Sequence, residues 1–467
     1  MTFVSPVNTM TLDCSGNVVS NALLLADVDM NKSNELIVGT QDGELLIFKA
    51  IRNQSQAQLW RRAHGLGFIT AIAVGPVTTN ITEPRPIICV VNAEGAIHLF
   101  VLRLAVQRNR VRSAGGTLNS GNRNDSKVHL HSATSIVNDE EQQQQQQQQI
   151  QVAFSQQLIC NPKILIIQEY NDNEKQIIIG YADRSIRVFT SMIIEEFDGR
   201  LTGRFALKGV FNIAEQIYTI ATRRISVKDY ELIVSQPGGN LLRFNPNEEN
   251  GRILATDMCN NGTTGWTEAI ALDRFVDETV YAAICHDHID IFSNQLNRIL
   301  YTIPLSVKTG YLCGLRVGPP SKDKYNQIVT ISSVDGDTFI IDRDSNILRF
   351  RPPLSSNTGC GGGNDSITNT SFADQIQAFT SGFFGDNSIF CFIYVLTHND
   401  KIIIVHSIET SNTKTANLTT LIEKSTLDQK IKEGYLNEQK KFSLICLILY
   451  LAGITAENFT DLLHPHY

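Results

Sequence analysis

Tryptophan is scarce: two residues, Trp60 and Trp266, in a chain of 467. That argues against repeats built on tryptophan–aspartate strand endings, which spend about one tryptophan per unit. The nine cysteines are scattered, with no C-x-x-C pair. This spacing offers neither a paired-thiolate zinc site nor a disulfide framework, and it points to a reducing compartment. Cys89, Cys285 and Cys391 fall in or beside strand-like segments, where a free thiol packs as a small hydrophobe. Basic residues do not exceed acidic ones: 40 against 47, for a net charge of −7. Nucleic acid is therefore not the expected ligand, because phosphate binding needs clustered Lys and Arg. The apolar stretch FSLICLILYLAGI, Phe442 to Ile454, falls short of the roughly 20 residues that a membrane-crossing helix needs. The opening MTFVSPVNTMTL has neither the basic region nor the continuous apolar run of a signal peptide. The expectation is an intracellular protein in which sequons such as Asn31-Lys32-Ser33 go unused. Catalytic motifs are missing too. No Ser/His/Asp set, phosphate-binding glycine loop, H-E-x-x-H or acid pair occurs in a consistent context, and no enzyme is expected.

What is present is repetition. Leu23 to Phe48, LLLADVDMNKSNELIVGTQDGELLIF, reads as three short strands with a polar loop after the first and an Asp42-Gly43 turn before the last. Turn plus strand returns with Gly95, Arg184, Gly239, Asp287, Gly336 and Asp400 at the position of Gly43, each time after an apolar segment such as Ile87–Val90 or Ile177–Ile179. A period near 50 residues with several strands per unit is the pattern of a β-propeller. Seven copies give an all-β, seven-bladed β-propeller.

The expected organisation is a propeller over residues 1–409 and a C-terminal helical tail over 410–467. Within the propeller, 105–151 is a glutamine-rich, low-complexity insertion, read as a disordered loop between the second and third units, and 352–372 is an insertion rich in Gly, Asn and Ser. The third unit starts near Val152 on this reading, the fourth near Leu207 and the seventh at Ile347. Val7–Leu12 is a lone strand signal, expected to complete the last blade and latch the ring.

One loop has metal-ligand spacing. Asp27, Asp29, Asn31 and Glu35 place oxygens at alternate positions and at the ninth, as calcium loops do. Lys32 stands where such loops need Gly, and the other units lack the pattern. The competing role is a turn in which Asp27 and Asp29 accept backbone N–H groups. The residues favour that role, with no cofactor required and calcium the one candidate. His286-Asp287-His288 beside Cys285 aligns with the hairpin turns and is read as one. Arg108, Arg110 and Arg112 are read as a solvated loop.

The pattern D-x-D-x-N…E-L-I-V-G…D-G-x-L resembles the FG-GAP repeat of integrin α-chain propellers. Several ordered segments are more similar still to the integrin-alpha FG-GAP repeat-containing protein 2 family, the FG-GAP subunits of the KICSTOR complex. They include Ala22–Asp29 with Asn34–Gly39, Asn92–Phe100, Gly180–Phe189, Glu231–Gly238, Ile340–Phe350 and Leu462–Pro465. The resemblance implies a non-enzymatic scaffold that pairs with a kaptin-like propeller protein and other KICSTOR subunits. Such a complex holds the GATOR GTPase-activating complex at the lysosome and restrains amino-acid-dependent TOR signalling. It also implies a cytoplasmic protein, peripheral at the lysosomal membrane through its partners, with no transmembrane segment. The glutamine tract and the 352–372 insertion depart from the family pattern. A calcium-dependent, integrin-like adhesion propeller is the alternative.

Overall fold

In the computed structural model, the turn residues that mark the sequence period share one backbone conformation. Gly43 (φ 84°), Gly95 (89°), Arg184 (66°), Gly336 (92°) and Asp400 (48°) all lie at positive φ. Four of these turns close through the same bond, from the N–H of Gly43, Gly95, Arg184 or Gly336 to the carbonyl three residues before it, at 3.0–3.3 Å. The structure describes residues 2–3, 8–51, 56–79, 85–102, 149–170, 174–196, 200–226, 229–236, 241–248, 254–255, 268–275, 278–284, 288–292, 299–304, 312–317, 329–333, 336–341, 347–350, 376–386, 390–396 and 400–406. The turn positions 239 and 287, nearly all of the 105–151 insertion, the 352–372 insertion and the 410–467 tail lie outside them, as does the helix expected in that tail.

Every larger sheet among the described residues is built on a four-strand antiparallel path. The first is Val18–Ala26, Ser33–Thr40, Leu45–Ala50 and Ala57–Ala63. The second is Ile69–Gly75, Ile87–Asn92, Ala96–Phe100 and Phe154–Gln157. The third is Pro162–Glu169, Lys175–Tyr181, Ser185–Ser191 and Phe205–Asn212. The fourth is Thr219–Ser226, Asp229–Ser235, Leu241–Phe244 and Leu254–Ala255. The fifth is Glu268–Phe275, Glu278–Ile284, His288–Phe292 and Ile299–Pro304. The sixth is Leu312–Val317, Val329–Ser333, Thr338–Ile341 and Ile347–Phe350. The seventh takes Ile376–Phe383, Phe390–Leu396 and Lys401–His406 from one end of the chain and Asn8–Asp13 from the other.

The first strand of each sheet touches the first strand of the next, and Ile376–Phe383 touches Val18–Ala26, so the sheets close into a cycle. This is a propeller. Its core lies between neighbouring sheets. One cluster joins Leu36, Val38 and Phe48 to Ile393, Ile402 and Ile404 across the first and seventh sheets. Others join the first to the second, the second to the third, and the third to the fourth. Second strands are therefore covered on both faces: every residue of Ile87–Asn92, Lys175–Tyr181 and Phe390–Leu396 is buried. That is why they read as unbroken apolar runs rather than alternating ones.

The unit boundaries expected from the sequence need correcting. Phe154–Gln157 pairs with Ala96–Phe100, so the glutamine-rich insertion falls within the second sheet, between its third and fourth strands, not between the second and third units. Likewise Phe205–Asn212 ends the third sheet and Ile347–Phe350 the sixth. The cause is composition. Phe154–Gln157 and Phe205–Asn212 are outermost and alternate covered with exposed residues, so they lack the apolar run that flags the inner strands. The hydrogen bonds recover the true ends. Carbonyls of Gly43, Gly95, Arg184 and Asp400 accept the N–H of Leu66, Leu158, Ile213 and Cys14, each just beyond a fourth strand, at 2.8–3.1 Å. Cys14 follows Asn8–Asp13, which marks the N-terminal strand as the seventh sheet's fourth.

Candidate functional site

Residues 27–32 connect the first two strands of the first sheet and fold around their own carboxylates. Asp27 accepts the N–H of Asn31 at 3.1 Å and of Lys32 at 2.8 Å. Asp29 accepts the Asn31 N–H at 3.3 Å and the Asn31 side-chain amide at 3.0 Å. The amide oxygen of Asn31 in turn accepts the Ser33 N–H at 2.7 Å. These are the side-chain-to-backbone bonds of a capped turn. Met30 (φ 61°) and Lys32 (φ 69°) take left-handed conformations, so Lys32 adopts the geometry that a glycine supplies in calcium loops.

Glu35, the third residue of the second strand, is fully buried and accepts the Val28 N–H at 3.1 Å. One oxygen each from Asp27, Asp29 and Glu35 lie within 4.8 Å of one another, the one such acidic trio among the described residues. A cation from the chain stands among them. The ammonium of Lys49 hydrogen-bonds Asp29 Oδ2 and lies 3.4 Å from Glu35 Oε1. The Trp60 ring packs against it, with Nζ 4.4 Å from the ring centroid.

The hairpin register puts Lys49 there. Gly39 pairs with Leu45 and Leu36 with Phe48, and one step further sets Glu35 opposite Lys49 on the adjoining strand. Sequence reasoning missed Lys49 and Trp60, although counting outward from the Asp42-Gly43 turn finds the first. Burial pushes the Glu35 carboxyl from the ordinary 4.5 up to about 7, and Asp29 adds to the rise, while the Val28 N–H and Lys49 pull the other way. Raised in the folded chain, this carboxyl contributes stability that is full at acid pH and is lost as pH rises through about 7. Glu35→Gln is therefore expected to flatten the pH dependence of Tm between about pH 4.5 and 7. Parallel wild-type and variant curves across that range would show that Glu35 does not titrate there.

Calcium takes roughly six to eight oxygens at about 2.3–2.6 Å. Here Asn31 turns its amide N–H₂, not its oxygen, toward Asp29, Asp27 is spent on backbone N–H groups, and Lys49 holds the remaining oxygens. The residues do not fit the ion. The loop also fastens the ring. Asn34 Nδ2 donates to the Phe383 carbonyl at 2.9 Å, and Gly385-Asp386 pairs with Asn34 and Ser33, tying the first sheet to the seventh.

Of the Cys285–His288 stretch, only His288 lies among the described residues. His288 sits on a strand, its Nε2 3.4 Å from Asp290 Oδ2, and Asp290 accepts Thr302 Oγ1–H at 2.7 Å. Residues 285–287 lie outside the described residues. No helix among the described residues is long and apolar enough to cross a membrane.

Comparison with known proteins extends the picture. Residues 52–273 match the model of a family described as integrin-alpha FG-GAP repeat-containing protein 2. The chain is also similar to a Mus musculus protein named KICSTOR complex protein ITFG2, 22% identical over 486 residues, 96% of this chain and 95% of that one. A Bos taurus protein of the same name is 23% identical over 456 residues, 91% of this chain and 74% of that one. Among solved structures, BBS1N in complex with ARL6DN, soaked with lead, superposes with a TM-score of 0.53 at 10% identity, covering 87% of this chain and 97% of that one. The mercury-soaked form gives 0.53 at 11%, covering 86% and 98%. At that identity the likeness concerns the fold alone, and it spans most of this chain.

Proposed function

We propose that this chain is a non-enzymatic scaffold subunit of a KICSTOR-type complex, with a seven-bladed ring as its body. The observation that carries the reading is the end-to-end similarity to proteins of that complex, over 96% of the chain in the mouse case. The seven four-strand sheets and their cycle of inner-strand contacts support the ring. Its polar clusters are taken up by structure: the acidic loop closes on Lys49, and Glu231 on Arg223 and Arg243. As a subunit the chain pairs with a kaptin-like propeller and two larger subunits. Together these hold the GATOR GTPase-activating complex at the lysosomal surface and restrain TOR-kinase signalling when amino acids are scarce. The chain itself reaches the membrane only through partners.

The test is affinity purification of the tagged full-length protein, with the co-purifying proteins identified by mass spectrometry. A kaptin-like propeller and a very large third subunit are expected near stoichiometry. A clean monomer, or extracellular partners instead, sinks the proposal.

A further inference from the structure

We infer that Lys49 is a tethered replacement for a divalent cation, so that the Asp27–Glu35 loop holds its form without calcium. Three observations carry this. First, Asp29 and Glu35 are buried, 5% and 0% exposed, and buried carboxylates left without a positive partner are strongly destabilising. Lys49 is the cation in contact with both. Among the described residues Glu35 Oε1 has no hydrogen-bond partner, and the Lys49 ammonium stands 3.4 Å from it. Second, Lys49 is held in place: Trp60 packs on it, and the strand register fixes its backbone opposite Glu35.

Third, the substitution has a counterpart elsewhere in the ring. Glu231-Leu232-Ile233-Val234 in the fourth sheet repeats Glu35-Leu36-Ile37-Val38. Its glutamate is met by Arg223 at 3.2 Å and Arg243 at 3.7 Å. In both sheets the glutamate at the head of the second strand is neutralised by side chains of the chain itself. A tethered ammonium does not dissociate, so this junction between the first and seventh sheets keeps its charge balance at any calcium level.

The inference stands apart from the scaffold reading and has its own experiment: calcium titration of the full-length protein followed by thermal unfolding, with terbium luminescence excited through Trp60 as a second readout. Wild type is expected to show no Tm shift between EDTA and millimolar calcium, and no terbium signal. Lys49→Met removes the ammonium and leaves three clustered carboxylates beside an aromatic antenna. That variant is expected to gain a calcium-dependent rise in Tm of several degrees and a terbium signal. Both gains disappear with Asp29→Asn in the same background. A calcium shift or terbium signal in wild type overturns the inference. So does a Lys49→Met protein that gains neither, whether purified folded or refolded in calcium, and so does a gain that survives Asp29→Asn.

Discussion

Deleting residues 1–13 is expected to convert the protein from a monomeric ring into an aggregating one. Those residues lace two sheets. Thr2-Phe3 lies parallel to Leu348-Arg349 on the outer edge of the sixth, and Asn8–Asp13 forms the whole fourth strand of the seventh. Leu12, 6% exposed, joins the cluster between the first and seventh sheets, with Met10 packed against it. Removing the strand uncovers the edge of Lys401–His406, whose Ile402, Ile404 and Val405 are completely buried in the ring. A bare, apolar strand edge with one lysine is a template for pairing with another chain. Leu12→Ala keeps the strand and removes only its anchor, at a cost of about 2–4 kcal/mol, or several degrees of Tm. The pair separates two effects. The deletion should elute as oligomers on size exclusion, and Leu12→Ala as a less stable monomer. A monomeric deletion variant with unchanged Tm would show that the latch is dispensable.

How much of this was legible in the sequence follows from where each residue sits in its sheet. Inner strands such as Ile177-Ile178-Ile179 are covered on both faces, so their apolar runs announce them, and the left-handed position in the turns between second and third strands carries Gly at 43, 95 and 336, Asp at 400 and, as the exception, Arg at 184. Period and all-β class come from those two features. Ala57–Ala63 and Phe154–Gln157 each have one neighbouring strand and an open edge, so they carry Gln, Arg and Ser at half-exposed or exposed positions and look like loop. The N-terminal strand was readable because its apolar residues stand isolated ahead of the first repeat. The family resemblance was readable from spaced motifs, since the D-x-D loop and E-L-I-V strand keep their order. The state of the loop was not readable from the loop alone. Asp27, Asp29, Asn31 and Glu35 have the same spacing whether they hold calcium or cap a turn. What decides between these is Lys49, brought in from the third strand, and register, not sequence adjacency, places it.

Gly95→Ala is the other substitution with a large expected effect, and its neighbours in the repeat separate the causes. At φ 89° the residue is left-handed, and a Cβ there would stand 2.5 Å from the Ile159 carbonyl oxygen and 2.8 Å from the Cys160 nitrogen. Both are backbone atoms, fixed in part because Gly95 itself accepts the Leu158 N–H. Two costs therefore add: left-handed strain of about 1–3 kcal/mol and displacement of a packed backbone, about 1–3 kcal/mol more. Gly65 isolates the first cost. Its φ is 73°, yet a Cβ there meets nothing within 4 Å, so Gly65→Ala should lose only the strain. Arg184 shows that the conformation is tolerable in this turn, since a side chain occupies the same repeat position at φ 66° and still passes its carbonyl to Ile213. Denaturant unfolding should rank the variants Gly95→Ala, then Gly65→Ala, then wild type in order of rising stability, with the first gap the close approach and the second the dihedral. Equal losses at the two positions would mean that the chain at Ile159-Cys160 gives way freely. In that case the contact between the turn and the end of the second sheet is not what fixes glycine at position 95.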